Sequence, residues 1–142
     1  MSELADNPVL VVTFVTWLIA ESVKFTGRFL TGSPARFGDT GGMPSGHAAF
    51  VSAAATLIGL EDGFDGPLFA LAVVLVAIVL HDAVRLRWAV GDQAVLLNRL
   101  LKQSKLGLSP AVVWRGHRIR EVLAGSLFGI IVSSLLYWWW YG

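Results

Sequence analysis

All eleven Lys and Arg residues of this 142-residue chain fall in two segments, and four apolar stretches are arranged around them. Lys24, Arg28 and Arg36 stand between the stretches at 8–20 and 48–60. Arg85, Arg87, Arg99, Lys102, Lys105, Arg115, Arg118 and Arg120 stand between those at 67–80 and 122–141. The N-terminus, with Glu3 and Asp6, and the short turn holding Glu61, Asp62 and Asp65 carry acids and no base. Four membrane crossings put both basic segments on one side, and the positive-inside rule makes that side the cytoplasm. Both termini are then expected outside.

Composition agrees with a lipid-facing surface. The chain is 55% hydrophobic and only 15% charged, with a mean hydropathy of +0.65, whereas about a quarter of the residues of a soluble domain are charged. Only the fourth stretch has the roughly 20 residues that cross a typical hydrocarbon core as a straight helix. The other three need their polar flanks in helix at the interface, or a locally thinned bilayer. Within 92–106 the residues Ala94, Val95, Leu97, Leu100 and Leu101 recur at helical spacing among Arg99, Lys102 and Lys105. That pattern predicts a short amphipathic helix on the inner leaflet or against the bundle. Pro110 is expected to open a further short helix, and Trp138, Trp139, Trp140 and Tyr141 form an interfacial aromatic belt. The expected fold is therefore an all-α integral membrane bundle of about four transmembrane helices plus a short amphipathic interfacial helix, a single domain over residues 1–142.

Several function classes drop out. There is no Cys, which removes disulfides, thiolate metal sites and cysteine nucleophiles together. A net charge of +1 makes no bulk electrostatic case for nucleic acid. The first apolar stretch follows acids, not a basic n-region, and no small-residue cleavage site ends it, so it is expected as a retained span. A unit this small leaves little room for a transport pathway, and is compatible with pairing as a homo-oligomer.

Two motifs carry chemistry. In Gly41-Gly42-Met43-Pro44-Ser45-Gly46-His47 the glycines allow a tight turn and close approach of the backbone. Pro44 suits the first turn of a helix. The amides of Ser45, Gly46 and His47 would then lie at a helix N-terminus, where phosphate oxygens are stabilised; the alternative is a plain Gly-Pro helix start. In Gly116-His117-Arg118-Ile119-Arg120-Glu121, four residues separate His117 from Glu121, one helical turn. A carboxylate there can hold one imidazole nitrogen and leave the other free to attack phosphorus; a surface His–Glu pair has the same spacing. Metal is disfavoured, because a zinc site needs more converging ligands and His81-Asp82 is the only spare group.

The ordered set Gly41–His47, His81-Asp82-Ala83, Arg87, Gly91-x-Gln93-Ala94, Leu97-Asn98 and Gly116-His117-x-x-x-Glu121-Val122-x-x-Gly125 resembles the divergent branch of the type 2 phosphatidic acid phosphatase superfamily, related to acid phosphatases and vanadium-dependent haloperoxidases. The resemblance covers residues 20 to 130. It implies a metal-free, cofactor-free phosphatase in which His117 forms a phosphohistidine, Glu121 orients it and His47 protonates the leaving alcohol. Ser45 and Gly46 would bind phosphate with Lys24 and one or more arginines, for which Arg87 and either Arg28 or Arg36 are the candidates, the arrangement of Arg85 and Arg87 being open. Vanadate would inhibit. The chain departs from the wider superfamily in three places: no Arg-Pro pair follows Lys24 at the usual spacing, Ala111 stands six residues before His117 where an Arg is usual, and Glu121 replaces Asp. Arg85 stands where the divergent branch usually has Gly.

A lipid phosphate is the expected substrate, with phosphatidylglycerophosphate, phosphatidate and polyprenyl phosphates or diphosphates as the candidates, at the cytoplasmic face of a bacterial inner membrane. A non-catalytic protein that binds anionic lipid or phosphate through the same basic face is the alternative. Topology is checked by reporter fusions: a tag on the C-terminus is expected outside the cytoplasm, and a cytoplasmic tag would break the four-crossing arrangement.

Overall fold

The computed structural model describes residues 6–32, 42–104, 108–113 and 117–141. Gly41, Arg36, Lys105, Arg115 and Gly116 lie outside the described residues, as does the side chain of Arg87. Four helices occur in chain order among the described residues: α1 Pro8–Leu30, α2 Gly46–Asp62, α3 Pro67–Ser104 and α4 Ile119–Tyr141.

Local chemistry sets their ends. Asn7 caps α1 by accepting from the Leu10 amide at 3.0 Å, and Pro8 occupies the first helical position, where a missing N–H costs nothing. At the other end Thr31 Oγ1 meets the Gly27 and Arg28 carbonyls, both at 3.0 Å. α2 ends where Gly63 takes φ +94 and returns its amide to the Gly59 carbonyl. Pro110 begins no helix: residues 108–113 are non-helical.

The amphipathic segment is no separate element, as the sequence pattern suggested, but the second half of α3. This helix runs unbroken for 38 residues, about 57 Å at 1.5 Å per residue, and so extends well past a hydrocarbon core of about 30 Å. The change at His81 is a change of polarity, not of backbone preference. Between Leu80 and Ser104 the only weak helix former of consequence is Gly91, and one glycine costs only about 1 kcal/mol.

Three helices, α1, α3 and α4, are long and apolar enough to cross a membrane. The fourth, α2, has 17 residues, about 26 Å of helix, and lies at the centre of the bundle against all three others. Its buried face is Ala48, Ala49, Ser52, Ala53, Ala55 and Gly59 with a single large residue, Leu57. On α4 the buried positions Val122, Gly125, Gly129 and Ser133 recur at helical spacing. A Cβ on Gly125 would meet the backbone of Ser45, and one on Gly129 the backbone of Ala49. The two helices therefore touch backbone to backbone, the small-residue packing of membrane helices.

Large apolar side chains point the other way. Phe14, Leu18, Leu71, Leu75, Ile131 and Leu135 are all about half exposed or more, while the interior is built of Ala, Gly, Ser and Thr. Such an arrangement would be unstable in water, and it is what a bundle solvated by lipid requires. The chain is an integral membrane protein of helical-bundle class.

Because α2 and α4 meet through backbone atoms, Gly125→Ala and Gly129→Ala should each cost about 1–3 kcal/mol, the usual penalty of overpacking. Gly27→Ala, whose Cβ would meet nothing, should be neutral or slightly stabilising. Thermal unfolding in detergent checks the difference.

Candidate active site

The four helices converge at one end of the bundle, where the C-terminal third of α1, the N-terminus of α2, the middle of α3 and the N-terminus of α4 meet. Ala48 of α2, Ala83 of α3 and Val122 of α4 form the small apolar floor there, flanked by Leu80 and Val84. Both sequence motifs lie directly above it.

His117 and Glu121 are joined, although not as one turn of a helix. α4 begins at Ile119, so His117 precedes it and Glu121 is its third residue. The carboxylate reaches back: Glu121 Oε2 accepts from the Arg118 amide at 3.1 Å and lies 3.1 Å from His117 Nδ1. This is one half of a capping box, extended to the imidazole. A carboxylate can only accept, so Nδ1 carries the proton, and in the neutral tautomer the lone pair is on Nε2. The ring is 2% exposed, and its own amide donates to the Ala83 carbonyl at 3.2 Å.

Pro44 precedes the helix in place of opening it. Ser45 is the N-cap of α2 and Gly46 its first residue, and the Met43–Pro44 peptide is cis. The Ser45 amide, expected to face a ligand, instead donates to the Glu121 carbonyl at 3.2 Å, which locks the two motifs together. The Ser45 side chain makes no cap bond. Its Oγ is fully buried and has no hydrogen-bond partner among the described residues, a state it shares with the hydroxyls of Thr13, Thr16 and Ser126; Ser45 alone of these four caps the N-terminus of α2. The first-turn amides of α2 have no intrahelical acceptor.

Lys24 is in place but not idle. It is 4% exposed, and its ammonium contacts both carboxylate oxygens of Glu21, at 2.7 and 2.6 Å. Glu21 in turn stands against Gly46, where any Cβ would run into its carboxylate. Gly42, with φ +93, lies over the stem of Lys24 and near Arg28 Cδ. One contiguous path thus links His117, Glu121, Ser45, Gly46, Glu21 and Lys24.

The other cations and the second histidine lie around this path. His47 is exposed at the second residue of α2 and opens on a pocket of about 230 Å³ shared with Asp82 and Leu86. His117 borders a different, open groove of about 630 Å³ with Arg85, Arg118 and Arg120. Arg87 lies on α3 four residues past Ala83. Among the described residues no three His, Asp or Glu side chains converge as a cation site.

Two participants escaped sequence reasoning. Glu21 was visible only as Glu21-x-x-Lys24 on a helix that is otherwise apolar. Asn98 was visible as part of a resemblance, with no role: its Nδ2 donates to the Ala111 carbonyl at 2.8 Å and its Oδ1 accepts from the Ala111 amide at 2.7 Å. One side chain thereby substitutes for a strand partner and ties the segment at 108–113 to α3.

The site is thus a His–Glu pair set against the N-terminus of the central helix of a membrane bundle. The chain belongs to the Divergent PAP2 family, whose family model matches residues 5–132. It is 29% identical over 155 residues to the uncharacterized membrane protein YuiD of Bacillus subtilis (strain 168), an alignment covering 94% of this chain and 96% of that relative. No solved structure matches it significantly.

Removing Asn98 takes away two hydrogen bonds of about 1 kcal/mol each. In Asn98→Ala the Ala111 amide should exchange with deuterium much faster while helical circular dichroism is unchanged.

Proposed function

We propose that the chain is a metal-independent membrane phosphatase that hydrolyses a lipid phosphate monoester through a phosphohistidine on His117. The observation that carries this reading is the conjunction of the Glu121-fixed imidazole with the buried, unpartnered Ser45 Oγ at the N-terminus of α2. A buried hydroxyl with no partner among the described residues, set at the N-terminus of a helix, suits phosphoryl oxygens, and Glu121 joins Ser45 to the proposed nucleophile.

The reaction divides in two. His117 Nε2 attacks phosphorus and forms an N–P bond as the ester P–O bond breaks, and His47 gives its proton to the departing alkoxide. Water then loses a proton to His47, attacks phosphorus and breaks the N–P bond, releasing inorganic phosphate. Lys24, Arg28, Arg87 and the Ser45–Gly46 segment would hold the remaining oxygens. Charge topology supports a site on the cytoplasmic face, in the inner membrane of a bacterium, where the substrate is an amphiphile such as phosphatidylglycerophosphate, phosphatidate or a polyprenyl phosphate or diphosphate.

One observation favours the non-catalytic alternative, an anionic-lipid binder: Glu21 already neutralises Lys24, which weakens it as a phosphate clamp. The test separates the two. Purified protein should release phosphate from a panel of these lipids, unaffected by EDTA and inhibited by vanadate. His47→Ala should lower turnover about 10²–10⁴-fold, and His117→Ala should abolish it while lipid binding survives. Full activity in His117→Ala would refute the nucleophile assignment, and binding without turnover in the unmodified protein would establish the alternative.

A further inference from the structure

The groove beside His117 has a charge that the two-step reaction does not use. It lies between α3 and the start of α4, and Arg85, Arg118 and Arg120 line it together with Asp92, Trp88 and His117. Its volume of about 630 Å³ is far more than one phosphate needs. Three guanidinium groups against one carboxylate leave a local charge of +2, counting His117 as neutral. Among the described residues none of the three arginines is within ion-pair distance of a carboxylate, Asp92 included. Unpaired arginines gathered in one concave site are suited to bidentate recognition of phosphate oxygens. The remaining wall is apolar, with Trp88 and Ile119 both more than half exposed, so the groove is charged within and lipophilic at its rim.

We propose that this groove is a second anion subsite, which binds a phosphate or phosphodiester of the substrate other than the phosphate facing His117, so that the preferred substrates carry two phosphorus centres. The inference rests on the reading of His117 as the point of attack. It selects among the candidate lipids: a diphosphate and a glycerol-spaced bisphosphate fill both subsites, whereas phosphatidate leaves the arginines of the groove unpaired. Arginines that served only to meet bulk lipid headgroups would show no such preference.

The test is calorimetric titration of the purified full chain in detergent with three soluble probes: inorganic phosphate, inorganic pyrophosphate and glycerol 1,3-bisphosphate. At least one of the doubly phosphorylated probes should bind about tenfold or more tighter than phosphate, the gain expected of charge-assisted hydrogen bonds to a second group. Pyrophosphate and glycerol bisphosphate distinguish an adjacent second phosphate from a spaced one. Arg85→Gln and Arg120→Gln should each remove most of that gain and change phosphate affinity much less; both side chains are exposed, so their replacement should leave the fold intact. Lys102→Gln, which alters a cation on α3 away from the groove, should leave the gain in place. The proposal is overturned if neither probe binds tighter than phosphate, or if Lys102→Gln lowers the gain as much as the arginine variants. A groove-dependent gain in a protein without phosphatase turnover would sink the catalytic reading and leave the subsite standing.

Discussion

The approach of α4 to α2 at Gly125 and Ser45 is the contact on which the site depends. Any side chain at Gly125 would collide with the backbone of Ser45, so the missing Cβ lets the Glu121 carbonyl receive the Ser45 amide one turn earlier. That hydrogen bond joins two motifs some seventy residues apart in the chain. It also places the Glu121 side chain, which holds His117, beside the cap of α2. In lipid there is no hydrophobic force to bring helices together, and association relies on close packing and hydrogen bonds. Glycine supplies the first here and the Ser45–Glu121 bond the second.

The same constraint explains why the interior is so small and polar. A 17-residue central helix whose buried face is Ala, Ser and Gly with one Leu lets three neighbours crowd around it, and their large side chains are left to face lipid. Buried polarity is then unavoidable, and the bundle handles it in two ways. Glu21 and Lys24 pair with one another behind Gly46, and His117 has one nitrogen tied to Glu121. The Ser45 hydroxyl, like those of Thr13, Thr16 and Ser126, is buried with no partner among the described residues.

Function follows from asymmetry between the two ends of the bundle. The acidic turn closes α2 at one end, while at the other Lys24, Arg28, Arg85, Arg118 and Arg120 lie around the Glu121–Ser45 contact. The arginines divide unevenly. Arg28 lies near Gly42, and Arg85, Arg118 and Arg120 line the groove.

The membrane character, the all-helical class and the two histidine motifs were legible in the sequence, because charge partition and apolar run length act through composition and need no contacts. The His117–Glu121 pairing was legible too, but for the wrong geometric reason: spacing suggested a helical turn, and the real link is an N-terminal glutamate reaching back across its cap. Helix boundaries were less legible. The drop in hydropathy at His81 resembled an end of α3, yet helix propensity there is undiminished and the backbone continues to Ser104. Only the tertiary structure decided that Glu21 pairs with Lys24, that Ser45 Oγ has no partner among the described residues, that Asn98 clamps Ala111 and that three arginines share one groove with His117. Each of these depends on how closely two helices approach and at what rotation. That is set by shape at Gly42, Gly46, Gly125 and Gly129, positions whose one-letter code records the absence of a side chain but not what fills the space.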